Sequence, residues 1–234
     1  MVKKIVGTGV LLVLALALQA GVKMYTLKSP DGKVKLEVTA GQGIAYSLFY
    51  DGRLLLKPSR IALHTDLPEA DHWENIRITG TKQRHVSETV QAPFYRVKEF
   101  GIDCNELELR LNNGFSLLMR AYNDGMAYRF VAGRKGEMTV VEERAEFNFA
   151  DDFEAYIPYS TNPKDPWNMA FQNFYTKAPL TQYNTELPAF LPLTVDAGAV
   201  KLTLLESDLE AYPGMFVCGD GKTPALKGVF AANV

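Results

Sequence analysis

Residues 106–132 read ELELRLNNGFSLLMRAYNDGMAYRFVA, and this segment sets the architecture that we expect for the whole chain. Its apolar residues alternate with polar or charged ones in three runs, which is the period-two pattern of half-buried strands. Asn-Asn-Gly at 112–114 and Asn-Asp-Gly at 123–125 separate the runs, and such residues favour tight turns. The segment therefore predicts a β-meander whose buried face carries Leu107, Leu109, Leu111, Phe115, Leu117, Met119, Ala121, Met126, Tyr128, Phe130 and Ala132.

The same alternation continues on both sides of the meander. Residues 34–40 and 44–50 alternate, and Asp51-Gly52 predicts a hairpin turn into a strand at 53–56. Downstream, we expect strands at 139–149, 200–205 and near 226–231, and the first of these is predicted to bury Val141, Ala145, Phe147 and Phe149. No segment after residue 20 keeps a helical apolar period. The predicted fold is therefore all-β, a large antiparallel β-sandwich.

Composition excludes several classes of protein. The 234 residues are 47% hydrophobic and 22% charged, which rules out wholesale disorder. The formal net charge is −2 and the pI about 6.0, so the basic surface of a nucleic-acid-binding protein is missing. We therefore expect a globular domain with no nucleic-acid partner.

The first twenty residues predict a signal peptide. Lys3 and Lys4 precede an apolar run at 10–18, and the small-residue site Leu18-Gln19-Ala20 follows it. The apolar run is shorter than the roughly 20 residues that a membrane-spanning helix needs. We therefore expect residues 1–20 to be removed, the mature chain to have no membrane span, and the protein to be periplasmic or secreted.

The chemistry-bearing residues do not form a recognisable catalytic motif. Cys104 and Cys218 are the only cysteines, and we favour two buried thiols over a disulfide. The three histidines lack the spacing of metal ligands. The acidic neighbours at 142–143 and 151–154 alternate sides along strands or turns, so they do not face each other as glycosidase carboxylates do. By its own residues the chain is not a convincing enzyme.

One long segment interrupts the pattern of strands. Residues 156–191, the aromatic excursion, are rich in proline and aromatic side chains. Long rigid loops of this kind often present functional side chains at a surface, although aromatic residues can equally cover an open face of a sheet. The residues that we single out as candidates for contact with a sugar are Trp167, Phe171 and Phe174.

Seven short motifs, taken together, resemble the amino-terminal domain of glycoside hydrolase family 97. Their order and spacing over nearly the whole chain make the resemblance specific, although an Asn-Asp-Gly turn alone is common. They are LKSPDGK at 27–33, YSLFYDG at 46–52, LKPS at 56–59, NEL at 105–107, RAYNDGMAYRF at 120–130, Tyr175-Thr176 with Pro179-Leu180, and ESDLEAYPGM at 206–215.

The resemblance implies an architecture and an activity. Residues 21–234 would be a β-sandwich resembling the galactose mutarotase-like super-sandwiches, and in the family a catalytic (β/α)₈ barrel follows it. The family cleaves α-glucosidic or α-galactosidic bonds and commonly carries calcium, and its catalytic carboxylates lie in or beyond the barrel. A barrel needs about 250 residues. We therefore expect this chain to end before the barrel and before the last strands of the sandwich, and to contain no catalytic residue.

The resemblance also implies one metal ligand in this chain. In the family a glutamate just before the Tyr-Thr-x-x-Pro-Leu segment binds the calcium, and the matching position here is Gln172. An amide oxygen can ligate calcium but adds no negative charge. We therefore expect calcium to bind only together with the barrel, and the chain alone to hold none.

These observations leave three functional hypotheses. The first is a carbohydrate-associated β-sandwich that packs on the catalytic barrel and shapes a site for an α-linked oligosaccharide. The second is a free-standing carbohydrate-binding module, in which Trp167, Phe171 and Phe174 would be exposed to solvent. The third is a mutarotase-like enzyme, which would need a histidine and a glutamate converging over a concave sheet.

Overall fold

The computed structural model describes residues 23–167, 171–207, 209 and 212–231, and within them the chain is almost entirely β-structure. The predicted signal peptide, residues 1–20, lies outside the described residues. None of the described segments forms a helix with the length and apolarity needed to cross a membrane. The strands are β1 (Lys23–Lys28), β2 (Val34–Gly41), β3 (Gly43–Tyr50), β4 (Arg53–Thr65), β5 (Ile78–Gln91), β6 (Glu99–Leu111), β7 (Phe115–Tyr122), β8 (Gly125–Ala132), β9 (Val140–Asn148), β10 (Glu154–Ile157), β11 (Thr176–Pro179), β12 (Leu193–Asp196), β13 (Lys201–Leu204), β14 (Met215–Gly219) and β15 (Ala225–Phe230), with a 3-10 turn at Leu180–Gln182.

The strands form three antiparallel sheets. The main sheet has seven strands in the order β1-β2-β3-β4-β9-β15-β14, a second has the order β5-β6-β7-β8, and a third has the order β11-β10-β12-β13. The second sheet packs on the β1–β2 side of the main sheet, and buried residues of all three sheets belong to one hydrophobic core. The predicted all-β antiparallel sandwich is confirmed.

The meander and the first hairpin form as their sequences predict. Strands β6, β7 and β8 pair in order, and the predicted apolar residues of β6 and β7 are buried. The corresponding residues of β8 are only half-buried because this strand lies at the edge of its sheet. In the turn between β3 and β4, Asp51 and Gly52 both have positive φ, 47° and 79°, the geometry that matches the twist of a two-residue hairpin.

Two expectations about burial are wrong. Val141 is 69% exposed, whereas Ala145, Phe147 and Phe149 are buried as predicted. In the pairing of β4 with β9, His64 lies opposite Glu142 and Thr65 lies opposite Val140, which is a bulge. Val141 therefore has no partner residue and turns outward.

The two cysteines differ in burial. Both are free thiols, but only Cys104 is buried, and Cys218 is half-buried because β14 is an edge strand.

Candidate functional site

The aromatic excursion contains strand β11 of the third sheet, and at Ala189 it also reaches the β14 edge of the main sheet. The two limbs of the excursion are joined where the Ser160 amide donates to the Pro188 carbonyl over 2.8 Å. Ala189 then exchanges two backbone hydrogen bonds with Val217 of β14, at 2.8 and 2.9 Å. An edge strand with open hydrogen-bonding groups is a site for unwanted association. The excursion therefore satisfies part of this edge while being held at a fixed position beside it.

Two buried tyrosines anchor the excursion to the hydrophobic core and to β14. The rings of Tyr159 and Tyr183 meet edge to face with centroids 5.0 Å apart. The Tyr183 hydroxyl donates to the Val217 carbonyl at 2.7 Å, and the Tyr159 hydroxyl accepts the Asn184 amide at 2.7 Å. Burial raises the pKa of both phenols, so they stay neutral donors and acceptors at physiological pH. These contacts make the base of the excursion part of the core.

Five aromatic rings lie above this base and form a continuous aromatic cluster. Starting at one end, Trp167 meets Phe216 with ring centroids 5.0 Å apart, and Phe216 meets Phe190 at 4.8 Å. Phe190 meets Phe171 at 5.6 Å, and Phe171 meets Tyr175 at 5.3 Å. The rings are tilted or edge to face, as aromatic pairs prefer. The aromatic cluster is therefore a mutually braced group rather than a set of separate surface side chains.

The three predicted sugar-contact residues differ in their exposure and in their ring contacts. Trp167 and Phe171 both belong to the aromatic cluster, and Trp167 keeps 37% of its surface exposed. Phe174 is 92% exposed, and no ring contact involves it among the described residues. A sugar packs its C–H groups on the electron-rich face of an aromatic ring, so an exposed ring is the chemical requirement for such contact. Trp167 and Phe174 offer the larger exposed surfaces.

Phe190 and Phe216 are cluster members that the sequence did not identify. Phe190 lies in the segment 156–191, which contains several other aromatic residues, so nothing in the sequence distinguishes it from them. Phe216 belongs to β14, and it reaches the excursion only because Val217 pairs with Ala189 across 27 intervening residues. A proline-rich segment followed by an aromatic residue in a later strand is too weak a signal to predict this contact.

A cluster of acidic and tyrosine side chains lies on the opposite face of β14. The Tyr212 hydroxyl donates to the Glu143 carboxylate at 2.8 Å, and the Glu206 carboxylate accepts the Met215 amide at 2.7 Å. Burial raises the pKa of both carboxyl groups. Glu143 bonds Tyr212, just before β14, and Glu206 bonds Met215, the first residue of β14, so both carboxylates hold the start of this strand in place. The Tyr212 ring lies 5.8 Å from the ring of Phe230, which is paired with Met215. Since Met215 and Phe216 point to opposite faces of β14, this cluster is separated from the aromatic one.

The described residues do not fit a calcium site on their own. Gln172 is exposed between Phe171 and Phe174. Among residues 23–167, 171–207, 209 and 212–231, no group of three or more His, Cys, Asp or Glu side chains could hold a metal ion. Calcium takes six to eight oxygen ligands, usually several carboxylates. One amide oxygen is far from sufficient.

Two of the three histidines, His64 and His85, contact carboxylates. The His64 Nδ1 atom lies 2.6 Å from Asp71, and the His85 Nε2 atom lies 3.1 Å from Asp103. Neither contact brings a histidine to the Glu143 carboxylate, which bonds Tyr212. The convergence of histidine and glutamate that a mutarotase-like enzyme needs is not formed by these pairs.

Comparisons with known proteins give a consistent result. Residues 27–232 match the family model described as Glycosyl-hydrolase 97 N-terminal. The chain is 39% identical over 223 residues to the retaining alpha-galactosidase of Bacteroides thetaiotaomicron, covering 92% of this chain and 33% of that protein. It is 26% identical over 158 residues to a probable retaining alpha-galactosidase of Streptomyces bingchenggensis, covering 66% of this chain and 24% of that protein.

Solved structures agree in fold. A glycoside hydrolase family 97 enzyme from Pseudoalteromonas sp. strain K8, in complex with acarbose, superposes with a TM-score of 0.73 at 18% identity, covering 88% of this chain and 32% of that one. A beta-arabinopyranosidase superposes with a TM-score of 0.75 at 20% identity, covering 89% of this chain and 35% of that one. The chain thus spans about a third of the length of the relatives that it matches.

Proposed function

The chain belongs to the glycosyl hydrolase 97 amino-terminal domain family, and we propose that it is the carbohydrate-associated β-sandwich of an α-glycosidase. In this role it packs on a catalytic (β/α)₈ barrel and shapes the binding site for an α-linked oligosaccharide without performing hydrolysis. The relatives named as retaining alpha-galactosidases favour an α-galactoside as the substrate of the complete enzyme. The predicted signal peptide favours a periplasmic or secreted location.

The observation that carries this proposal is the aromatic cluster. Its rings are braced against each other and held at the β14 edge by the Ala189–Val217 hydrogen bonds, so their positions are fixed before any ligand arrives. A preformed surface loses less conformational entropy on binding than a flexible loop does. Trp167, at one end of the cluster, and Phe174, next to Tyr175 in the sequence, remain exposed and are the side chains that we assign to sugar contact.

A chimeric enzyme tests the proposal. Residues 27–232 replace the matching region of the Bacteroides thetaiotaomicron enzyme, and turnover of an aryl α-galactoside is measured. We expect activity in the chimera and none from the purified chain alone, because the family resemblance implies that the catalytic carboxylates lie in or beyond the barrel. We expect Trp167→Ala to lower kcat/KM of the chimera about tenfold, equivalent to about 1.4 kcal/mol of lost transition-state binding. Tyr156→Ala, which removes an aromatic ring of equal exposure outside the cluster, is the matched control.

Two results would contradict the proposal. A folded chimera without activity would show that the domain does not support a family 97 barrel. Turnover by the purified chain, abolished by one Asp or Glu substitution within residues 21–234, would show that the chain is itself an enzyme.

The exposure of Phe174 and Trp167 favours a second candidate, a free-standing carbohydrate-binding module. In that case the purified chain alone binds α-linked oligosaccharides in calorimetry, and Trp167→Ala or Phe174→Ala removes the binding. Under the leading proposal the isolated chain shows no such binding, because the rest of the sugar site belongs to the barrel.

Calcium binding gives a separate prediction that rests on Gln172. We propose that this side chain approaches a calcium ion only in the complete enzyme, where carboxylates from the barrel supply the missing charge. Calorimetry of the purified chain at millimolar calcium should show no binding, and Gln172→Glu should not change this result. In the chimera, Gln172→Glu should slow the loss of calcium to a chelator, because a carboxylate replaces a neutral amide. Tight binding by the chain alone, or an unchanged chimera, would remove Gln172 from the metal site.

A further inference from the structure

Strands β5 and β6 extend beyond the sheet to which they belong. Their pairing continues without interruption from Ser87–Asp103 to Gln91–Glu99. Strand β7 reaches only as far as the pair Cys104–Tyr122, so it does not cover this extension. Residues 87–103 therefore form a projecting two-stranded arm, and its five residue pairs span about 17 Å at the usual rise per residue.

One face of the arm carries exposed apolar side chains. Val90 lies opposite Phe100, and directly opposed residues of antiparallel strands share a face. Val90 is 42% exposed and Phe100 is 39% exposed, and the ring of Tyr95 lies 5.6 Å from that of Phe100. Phe94 at the tip is fully exposed. An exposed apolar patch of this kind marks an interaction surface, and a two-stranded ribbon is marginally stable without a partner.

The strands of the main sheet can be placed relative to the end of the sandwich at which the arm lies. Asp31, in the β1–β2 turn, bonds Asn123, in the β7–β8 turn, and the arm projects at this end of the sandwich. Asp51 bonds Lys33, so the β3–β4 turn lies at the same end and β4 runs away from it. Strand β15 is antiparallel to β9, which is antiparallel to β4. Strand β15 therefore runs toward the end opposite to the arm.

The charges of the arm are complementary to those of a second arm. The tip, residues 92–98, carries Arg96 and Lys98 and no acidic residue. The strands of the arm, residues 87–91 and 99–103, carry no Lys or Arg, and Glu88 is their acidic residue on the face of Val90 and Phe100. Glu99 and Asp103 lie opposite Gln91 and Ser87 and point to the other face. When two arms overlap in antiparallel fashion, each basic tip lies over Glu88 of the other. A two-fold axis requires this kind of self-complementary surface.

We infer that the arm is a homodimerisation element, in which the apolar faces of two copies of this chain pack across a two-fold axis. One face of a two-stranded arm about 17 Å long cannot supply the roughly 800 Å² per partner of a standard interface. We therefore expect the isolated chains to associate weakly, with a dissociation constant in the micromolar range. The inference rests on the arm alone and does not depend on the proposed glycosidase function.

Sedimentation velocity of the purified protein over about 1–200 µM, a range chosen to bracket a micromolar dissociation constant, tests the inference. We expect a concentration-dependent dimer, at least tenfold weaker in Phe100→Ser. Val141→Ser, which alters an exposed valine outside the arm, should leave association unchanged. Arg96→Glu should weaken the dimer, and Glu88→Arg in the same chain should restore it, because the two charges meet across the axis.

The charge-reversal pair separates a specific dimer from general stickiness. A protein that stays monomeric throughout the range overturns the inference, and so does a dimer that Phe100→Ser or the charge changes leave unaffected. If the protein is monomeric and Phe100→Ser instead lowers the activity of the chimeric glycosidase, the arm contacts another part of that enzyme and the inference is wrong.

Discussion

The substitution Tyr183→Ala is expected to lower the free energy of unfolding by about 4 kcal/mol, the range for losing a buried aromatic side chain. The Tyr183 ring fills the space between Tyr159 and Gly219, where a Cβ atom on the glycine would lie 2.7 Å from the ring. Removing the ring leaves a cavity and also removes the hydrogen bond to Val217. Urea denaturation followed by far-UV circular dichroism measures the loss.

The conservative variant Tyr183→Phe separates packing from hydrogen bonding. It keeps the ring and loses the hydroxyl, so we expect a cost of about 1 kcal/mol. If Tyr183→Ala costs no more than Tyr183→Phe, the ring does not anchor the excursion and the base of the aromatic cluster must be held elsewhere.

The substitution Glu106→Gln is expected to cost about 2 kcal/mol at neutral pH. The buried Glu106 carboxylate accepts the Arg84 Nε–H at 2.6 Å and the Arg120 Nε–H at 2.8 Å. Removing one member of a buried ion group typically costs 3–5 kcal/mol, and the partial exposure of both arginines reduces the figure. Glu108→Gln, on the same face of the same strand, breaks a solvent-exposed contact with Arg110 and should cost about 0.5 kcal/mol or less.

The effect of Glu106→Gln also depends on pH. The hydrogen bond from Arg84, followed by the one from Arg120, lowers the pKa of Glu106 below its ordinary value. A group with a lowered folded-state pKa stabilises the protein above its unfolded pKa, about 4.3 for glutamate, and this contribution is lost as the pH falls through the folded-state pKa. The difference in unfolding free energy between the two proteins should therefore be full at pH 7 and shrink in acid. A constant difference down to pH 3 would exclude the charge as its source.

Local patterns allowed the sequence to predict the parts of the fold that form between chain neighbours. The meander and the Asp51-Gly52 hairpin each carry alternation and turn chemistry within a few residues. Strand β5 was not predicted, because almost all its side chains are polar and exposed and it is held mainly by backbone pairing with β6. The bulge that turns Val141 outward likewise depends on the partner strand.

In the candidate site, too, the residues within one segment were predicted, and those brought in by a distant strand were not. Trp167 and Phe171 were found because they lie in one unusual segment, and membership in the family was recognised from short motifs in order. Phe216 was missed because only the pairing of Ala189 with Val217 brings it to them. The ion group formed by the buried Glu106 with Arg84 and Arg120 was also missed, since acidic and basic residues on successive strands resemble an ordinary solvated surface.

The hydrogen bonds between Ala189 and Val217 restrict how this domain can evolve. A loop that only displays side chains tolerates insertions, deletions and wholesale replacement, and so lets a lineage acquire new sugar preferences quickly. In the proposed role the excursion both presents side chains to a sugar and satisfies part of a sheet edge. We therefore expect selection to remove most length changes, because a strand exposed in this way promotes aggregation. Diversification should therefore proceed by substitution at exposed positions such as Phe174, and directed-evolution libraries built on this scaffold should vary residue identity while keeping loop length constant.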